Sequence, residues 1–332
     1  MLVFESSYTT LTEPAGNNYS LTMSFFMNFI LQYSGRVRVW LCVLALAFNI
    51  AHAEEAATAS LAVSVYKDVH TDYQRFTQGR DIADIDYYGG PGARRDVVEV
   101  VLLQQALLLG GFTDPLELRN EQTYLRTLRQ IADGVLVASG SLVWYSDVLD
   151  SPDLFHISQP IVKEGEFILG VYTSPNNKQA MATKSLADLR ALRAVTNTQW
   201  ETDIALLKNL NVKQVYYADE WLHIVRMINA GRADFTFAPF QPSESMELVM
   251  ENMTLVPING IKVMLPGSRH WAVSRKHPRG DEFYRALYKG IEILKKEGRI
   301  QRAYRENGFF RPEIQTWTLL NPPAATTASP GQ

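Results

Sequence analysis

The chain has 332 residues, of which 46% are hydrophobic and 20% charged, and its formal net charge is −3. This composition is ample for a buried core, and the length exceeds that of one small compact domain. Acidic and basic residues are interspersed, without a basic stretch of the kind that binds nucleic acid, which argues against DNA or RNA as a partner.

A segment near the start has the pattern of a bacterial export signal. Arg36 and Arg38 precede an apolar run over residues 39–48, and Ala51-His52-Ala53 follows as a small-x-small cleavage site. The run is shorter than the roughly 20 residues that a membrane span needs, so an uncleaved anchor is the alternative. We predict a signal peptide over residues 1–53, cleavage after Ala53 and a periplasmic location.

The first residues exceed what a signal peptide needs, and either Met23 or Met27 could be the true start. Cys42 is the only cysteine, and it would leave with the signal peptide. Leu41 precedes it, where lipid attachment requires a small residue, so we do not expect a lipid anchor. The mature chain is predicted to lack disulfides and cysteine metal ligands.

Short apolar runs then alternate with helical patterns, which predicts a sheet with helices packed on it. In the first part of the mature chain, the predicted strands and helices are strands 61–66, 116–118 and 135–138 and helices 95–109 and 122–132. The loop between residues 87 and 92 is rich in glycine.

The alternation continues in the second part of the chain. The predicted strands there are 167–172, 194–196, 212–217, 233–238 and 270–274. The predicted helices are 186–192, 202–210, 219–230, 243–251, 281–297 and 299–307. Residues 317–332 are predicted to form a disordered tail, because Pro, Ala and Thr dominate from Asn321 onward. Two successive α/β units predict two lobes, which the pattern alone leaves in series or interleaved.

Four motifs occur in an order that resembles a known family. They are the turn Ile157-Ser158-Gln159-Pro160-Ile161, the helix start Ser185-Leu186-Ala187-Asp188-Leu189, the segment Ile228 to Asp234, and the closing helices Ile291 to Phe309. Together they resemble the periplasmic solute-binding protein family 3, the amino-acid-binding class with the type II periplasmic-binding fold. The resemblance covers roughly residues 60–312.

The resemblance implies an α/β fold with two interleaved lobes, a venus flytrap. Lobe 1 would hold residues 59–165 and 275–316, and lobe 2 residues 166–270. The chain would cross between them twice, near 167–172 and 270–274. Two crossing strands permit hinge closure around a ligand.

Ligands of such folds lie beyond the carboxyl ends of strands and at helix N-termini, which selects four loops. The candidate ligand-binding residues are Tyr88 and Arg94; Ser139, Ser141 and Trp144; Thr198, Gln199, Trp200 and Thr202; and Phe240 and Gln241. Each loop has an ordinary alternative, respectively a solvated loop with surface arginines, a turn with a core tryptophan, a helix cap, and a turn before a helix.

The expected function is capture of a small polar or aromatic-compatible solute between the lobes for an ABC-type importer. The alternatives are a ligand-sensing partner of a membrane receptor, or an enzyme on this fold such as a dehydratase or peptidoglycan-cleaving protein. An enzyme would require a cleft carboxylate with a raised pKa, and Glu201 is the only acid in the four loops. We therefore expect no enzyme, no catalytic residue and no cofactor. The partners would be the solute and an inner-membrane permease or receptor, with the chain itself a monomer.

Two absences bear on the ligand. The six histidines show no metal-binding spacing, so no metal site is expected. No arginine lies between Arg129 and Arg190, where amino-acid binders of the family hold the α-carboxylate, and Pro239 stands where their ammonium-binding aspartate would be. Ordinary α-amino acids are therefore not the expected ligand, although Arg94 or Arg95 could replace the missing arginine.

Overall fold

A computed structural model describes residues 60–121 and 123–322 of the chain. The strands within these residues are β1 (Ala62–Tyr66), β2 (Glu117–Glu121), β3 (Ala138–Ser139), β4 (Val143–Trp144), β5 (Phe155–Ile157), β6 (Ile168–Thr173), β7 (Arg193–Asn197), β8 (Gln214–Ala218), β9 (Thr236–Ala238), β10 (Leu248–Met250), β11 (Met253–Met264), β12 (Arg269–His270), β13 (Ala272–Ser274) and β14 (Thr318–Leu319).

The α-helices in the same part of the chain are α1 (Lys67–Thr77), α2 (Arg95–Gly110), α3 (Tyr124–Ala132), α4 (Lys178–Met181), α5 (Leu186–Arg190), α6 (Glu201–Asn209), α7 (Trp221–Asn229), α8 (Gly280–Lys296) and α9 (Arg299–Glu306). None of these helices is long and apolar enough to cross a membrane. The predicted signal peptide over residues 1–53 lies outside the described residues.

Most strands belong to two larger sheets, and β4–β12 and β7–β8 form separate pairs. The first has the order β2-β1-β3-β13-β5, in which β1 runs parallel to β2 and β3, and β13 runs antiparallel to β3 and β5. The second has the order β10-β11-β6-β9, and β14 adds to it parallel to β11. Because β13 rejoins the first sheet after β6, β9, β10 and β11 of the second sheet, the chain leaves one lobe and returns, and β14 later pairs again with the second sheet. The predicted two-lobed α/β fold is confirmed.

The helices cover both sheets. Helix α8 packs on β13 of the first sheet and against α2 and α9, and α7 packs on β7 and β11 of the second lobe. The strand pair β7–β8 belongs to this lobe, since Ala194 of β7 bridges to Phe235 just before β9. Helix α5 begins as predicted at Ser185, whose side chain forms a capping box with Asp188.

Two glycines set the spacing of the largest helix pair. Helix α2 is buried along most of its length, as expected of a helix that is apolar all round. A Cβ at Gly110 would overlap the carbonyl oxygen of Ala286, and a Cβ at Gly290 would overlap that of Ala106. Helices α2 and α8 therefore pack backbone to backbone.

Most predicted elements are found within a few residues of their expected ends, but three predictions are wrong and two elements were not predicted. The expected helix 243–251 is instead a turn followed by β10, which forms a hairpin with β11. Met246 and Glu251 adopt left-handed φ values of 55° and 52°, which interrupt a helix and close the hairpin.

The other corrections concern boundaries and unrecognised elements. The strand expected at 135–138 begins only at Ala138, because Val135 is an exposed turn residue. Thr318 and Leu319, assigned to the tail, form β14. Helix α1 and strand β11 were not predicted. In α1 polar residues outnumber the spaced apolar ones, and in β11 Pro257 and Gly260 resemble turn signals, although a register shift beginning at Pro257 accommodates them.

We expect Gly290→Ala to destabilise the protein, because the added methyl group must separate α8 from α2. Overpacking of this kind costs about 1–3 kcal/mol, and in a chain of this size each kcal/mol lowers the melting temperature by about 2–4 °C. Thermal unfolding followed by circular dichroism measures the effect. The control Lys289→Ala, on the exposed side of α8, should change the free energy of unfolding by less than about 0.5 kcal/mol. Equal melting temperatures for the two variants would contradict the close packing.

Candidate functional site

A buried ion pair lies at the N-terminus of α2. Arg95 is the first residue of the helix, and its Nη1 is 2.5 Å from Oε1 of Glu99, one turn further on. The Glu99 side chain is fully buried. Its Oε2 accepts a hydrogen bond from the Leu142 backbone N–H at 2.9 Å, and the Tyr304 hydroxyl donates to Oε1 at 3.4 Å. Glu99 therefore neutralises Arg95 and anchors the loop that leads to β4.

A second buried arginine enters from the returning segment of the chain. Arg269 opens β12, which pairs with β4 so that Arg269 lies opposite Trp144. Its guanidinium lies 4.7 Å from the Trp144 ring centroid and 5.2 Å from that of Phe167, and it donates to the Leu142 carbonyl. Arginine over aromatic faces is a favourable arrangement in a desolvated site.

The same ring of Phe167 also contacts the first arginine. The Arg95 guanidinium lies 5.3 Å from the Phe167 centroid and 6.0 Å from that of Phe309. Phe167 directly precedes β6, at the first crossing between the lobes, and Arg269 lies at the second crossing. Aromatic rings and both arginines thus meet at the hinge.

A carboxyl group of the second lobe completes the arrangement. Asp203 lies in the first turn of α6 and is buried. Burial raises the pKa of its carboxyl to about 7, against the opposing effects of Arg269, of its own backbone N–H and of Arg95. Among the described residues, no side chain forms an ion pair or hydrogen bond with it. We call Arg95, Glu99, Trp144, Phe167, Asp203 and Arg269 the interlobe cluster.

The two arginines have different environments. Burial lowers the pKa of Arg269, and the nearby positive charge of Arg95 lowers it further. For Arg95, burial acts in the same direction, but Glu99 and Asp96 outweigh it and its pKa is raised. The buried Nε atoms of both arginines have no hydrogen-bond partner within the described part of the chain. An unsatisfied buried donor on a charged group is costly, so the cluster offers two unused donors to an acceptor.

The first two predicted loops contribute two residues to this cluster, Arg95 at the end of the first loop and Trp144 of the second. Arg94 points instead to three acids, Asp68, Asp72 and Asp96, at 2.7, 3.2 and 2.6 Å. Tyr88 is buried, and its hydroxyl donates to Gln105 at 2.7 Å.

The serines of the second loop make internal hydrogen bonds. The Ser139 hydroxyl accepts from the Ala272 backbone N–H at 3.3 Å, and the Ser141 hydroxyl donates to the Asp96 carbonyl at 3.5 Å. Ser139 therefore ties β3 to the returning strand β13.

The third loop lies around the start of α6. Thr198 donates to the Asp219 carboxylate at 2.9 Å, and the Gln199 backbone N–H donates to Asn197. Trp200 packs against Trp221 with ring centroids 6.0 Å apart. Thr202 is half-buried and directly precedes Asp203.

The fourth loop packs internally. Phe240 is 2% exposed and joins an apolar cluster with Met246 and Ile314. The Gln241 side chain donates to the Pro239 carbonyl at 2.9 Å.

Four members of the interlobe cluster were not foreseen from the sequence: Glu99, Phe167, Asp203 and Arg269. The sequence nevertheless contains a signal for one of them. Glu99 interrupts the run Val97 to Leu103, and an acid inside an apolar helix, four residues from an arginine, indicates a buried ion pair. Arg269 and Asp203 lie far apart in the sequence, and only the tertiary structure brings them near each other.

Two cavities among the described residues lie away from the interlobe cluster and are not lined by any of its members. A cavity of about 530 Å³ lies along β8 and α7, beside Tyr217 and His223. A second, of about 350 Å³, lies between α9 and the strands β6 and β11, beside Lys262 and Arg305. No group of three or more possible metal ligands occurs in residues 60–121 and 123–322.

Comparison with known proteins identifies the fold. No family model and no curated protein matches the chain. The second periplasmic venus-flytrap domain of BvgS from Bordetella pertussis is similar, with 13% identity, a TM-score of 0.50, and coverage of 77% of this chain and 97% of that domain. The whole BvgS periplasmic domain matches with 15% identity and a TM-score of 0.50 over 85% of this chain, which spans about half (47%) of it.

An ancestral arginine-binding protein bound to arginine is also similar, with 12% identity, a TM-score of 0.46, and coverage of 75% of this chain and 98% of that protein. At such low identities the similarity defines the architecture alone. The chain has the two-lobed venus-flytrap fold.

The raised pKa of Asp203 makes stability depend on pH. Its carboxyl titrates near 7 in the folded protein but near 3.8 in a solvated chain, so its contribution to stability is present below the lower value and lost as pH rises through the higher one. Each unit of difference corresponds to about 1.4 kcal/mol. We expect Asp203→Asn to raise the melting temperature at about pH 8 and to have a much smaller effect at about pH 4.

Thermal unfolding of wild type and variant across this pH range measures the difference. Glu201→Gln, in the same helical turn but exposed, serves as the control and should leave the pH profile unchanged. An Asp203→Asn variant with the wild-type profile would contradict the assignment of the titration to Asp203.

Proposed function

We propose that this chain is an exported solute-binding protein, which captures a small solute between its two lobes at the interlobe cluster. The observation that carries the proposal is the pair of buried arginines with unpartnered Nε atoms, at the point where both crossings and both lobes meet. Hydrogen bonds strengthen as closure removes water, so two donors at the hinge bind an acceptor best in the closed state.

We also propose the lobe boundaries that the family resemblance implies, namely residues 59–165 with 275–316 and residues 166–270. The position of β13 in the first sheet supports this division, as does the packing of α8 on α2. Closure would then bring Asp203 of lobe 2 against Arg95 of lobe 1 by bending at two strands.

The chemistry of the cluster favours a solute with an anionic or strongly hydrogen-bond-accepting group and an apolar or aromatic part. The arginines would bind the first, and Trp144 and Phe167, whose ring centroids are 5.0 Å apart, would contact the second. We propose Thr202 and Ser141 as further polar contacts, because they border the cluster in sequence and are only half-buried. Tyr88, Arg94, Ser139 and Phe240 have internal partners and are not part of this proposal.

A solute captured in this way would be passed to an inner-membrane importer or sensed for a receptor. A venus-flytrap fold is compatible with both roles, because a fold by itself does not determine function. We propose the importer role first, because the recognised motifs resemble those of free binding proteins.

An enzyme on this fold is the second candidate, and Asp203 is the observation that favours it. A cleft carboxyl with a pKa of about 7 suits general acid–base catalysis. The remaining carboxylate of the cluster, Glu99, is held by Arg95, Leu142 and Tyr304 and is therefore not available as a partner acid or base. Binding without turnover accounts for the arrangement more simply.

We expect Arg269→Gln to abolish solute binding. A ligand at a hundred times its dissociation constant stabilises the protein by about 2.7 kcal/mol. A thermal-shift screen of small carboxylates, sugars and amino acids would find compounds that raise the melting temperature of the wild type. Those shifts should vanish in Arg269→Gln and in Arg95→Gln, and persist in Arg232→Gln, which replaces an exposed arginine of lobe 2. A compound whose shift survives in both cluster variants would contradict a site at the interlobe cluster.

Export predicts a mature protein that begins at Glu54. N-terminal sequencing of the protein from the periplasmic fraction of an expressing bacterium checks this prediction. A full-length chain that remains in the inner membrane would contradict it.

A further inference from the structure

A groove outside the interlobe cluster lies where the C-terminal segment returns to the second sheet. After α9 the chain reaches β11, where β14 pairs in parallel with Thr318 opposite Ile261. The Leu320 backbone N–H donates to the Lys262 carbonyl at 2.9 Å. Residues of the segment 309–315 thus form one wall of the 350 Å³ cavity described above, and its other walls belong to α9, β6 and β11.

The lining of this groove carries a surplus of positive charge. Its charged residues are Lys262, Arg305, Arg311 and Glu166. Three cations against one acid leave a formal surplus of two positive charges. An unbalanced charge of this kind in a concave surface attracts ligands of the opposite sign.

Two of the three cations lack an anionic partner among the described residues. Lys262 donates from Nζ to the carbonyls of Ile314 at 2.7 Å and Gln315 at 3.3 Å, and these are its side-chain contacts with polar groups there. Burial lowers the pKa of its ammonium group, as expected where no carboxylate compensates for the loss of water. Arg305, in the last turn of α9, is exposed and forms no ion pair within the described part of the chain.

The third cation, Arg311, is the most buried of the three. Its side chain is 10% exposed, and its Nη1 donates to the Pro242 carbonyl at 3.3 Å. Its Nε lies 3.3 Å from the Glu313 carboxylate but is not aligned for a hydrogen bond, so this buried donor has no partner among the described residues. Because Glu313 is 59% exposed, water weakens its pairing with the guanidinium. An unused donor on a buried guanidinium is suited to an oxyanion.

We propose that this groove binds a small dianion whose charges are carried by oxygen atoms, a dicarboxylate or a phosphate, at a site separate from the interlobe cluster. Its two negative charges match the surplus of the lining. The Arg311 guanidinium would donate to one oxyanion group, and Lys262 and Arg305 would compensate the remaining charge. Ile168 and Phe310 also line the groove and would contact the carbon part of a dicarboxylate or phosphate ester.

Phe309 separates this groove from the interlobe cluster. It lines the groove, and its ring centroid lies 5.1 Å from that of Phe167, which the two arginines of the cluster contact. The two sites are therefore neighbours that share an aromatic wall but use different cations. The dianion site does not depend on whether a solute binds at the interlobe cluster.

The test titrates the protein with inorganic phosphate and succinate as dianions and with acetate as the monoanion. Calorimetry at constant ionic strength, and at a mildly alkaline pH where phosphate is doubly charged, gives each affinity. We expect at least one dianion to bind about tenfold more tightly than acetate or better, since it engages a second cation. Its affinity should fall as salt is added, because salt screens exposed charges. The tighter of the two dianions distinguishes a phosphate site from a dicarboxylate site.

Three variants locate the dianion. Arg305→Gln and Lys262→Gln should each weaken its binding by about tenfold, the effect of one lost charge-assisted hydrogen bond. Glu166→Gln removes the one acid in the lining and should strengthen binding several-fold, a gain that a misfolded protein does not show. The control Lys289→Gln removes a positive charge from the exposed side of α8 and should leave the affinity unchanged.

The remaining outcomes would overturn the dianion site. They are the absence of saturable binding of both dianions at millimolar concentration, an affinity for acetate equal to theirs, and dianion binding that Arg305→Gln and Glu166→Gln leave unchanged. Binding that is lost in Arg269→Gln but kept in Arg305→Gln would place the dianion at the interlobe cluster. The groove proposal would then fail, while the proposed function would stand.

Discussion

The structure depends on one buried ion pair inside an otherwise apolar helix. Glu99 is fully buried between Arg95, the Leu142 backbone and Tyr304, and removal of either charged partner would leave the other uncompensated in a medium where that is costly. Through these contacts the pair joins α2, the loop before β4 and α9. It thereby holds the loop that carries Trp144, and Arg269 donates to the Leu142 carbonyl of the same loop.

The hinge adds the second constraint, since both crossings supply a residue to the same cluster. Phe167 precedes β6 at the first crossing and Arg269 opens β12 at the second, and their ring and guanidinium are 5.2 Å apart. A change in the relative position of the lobes must alter this contact. A solute bound at the cluster, as proposed above, would therefore be sensitive to the relative position of the lobes.

Much of the fold, but little of the candidate site, could be predicted from the sequence. Periodicity and caps located most strands and helices, such as the capping box at Ser185, because these are local interactions. Helix 243–251 was wrong because its helix-forming side chains are overridden by hairpin pairing with β11, which is a tertiary effect. The four candidate loops were chosen at the ends of strands, yet most of their polar groups bind their own neighbours. Arg94, for example, forms ion pairs with three aspartates.

By itself, the sequence determined the alternation of strands and helices and local features such as the helix cap at Ser185, since each depends on neighbours within a few turns. Only the tertiary structure decided that Arg269 and Asp203 face one cluster. They are separated by most of lobe 2 along the chain, and β12 reaches the cluster only because β13 returns to the first sheet. Whether a carboxyl is solvated or buried near two arginines is a property of that long-range packing. The charge that Asp203 carries follows from the fold and cannot be read from its sequence neighbours.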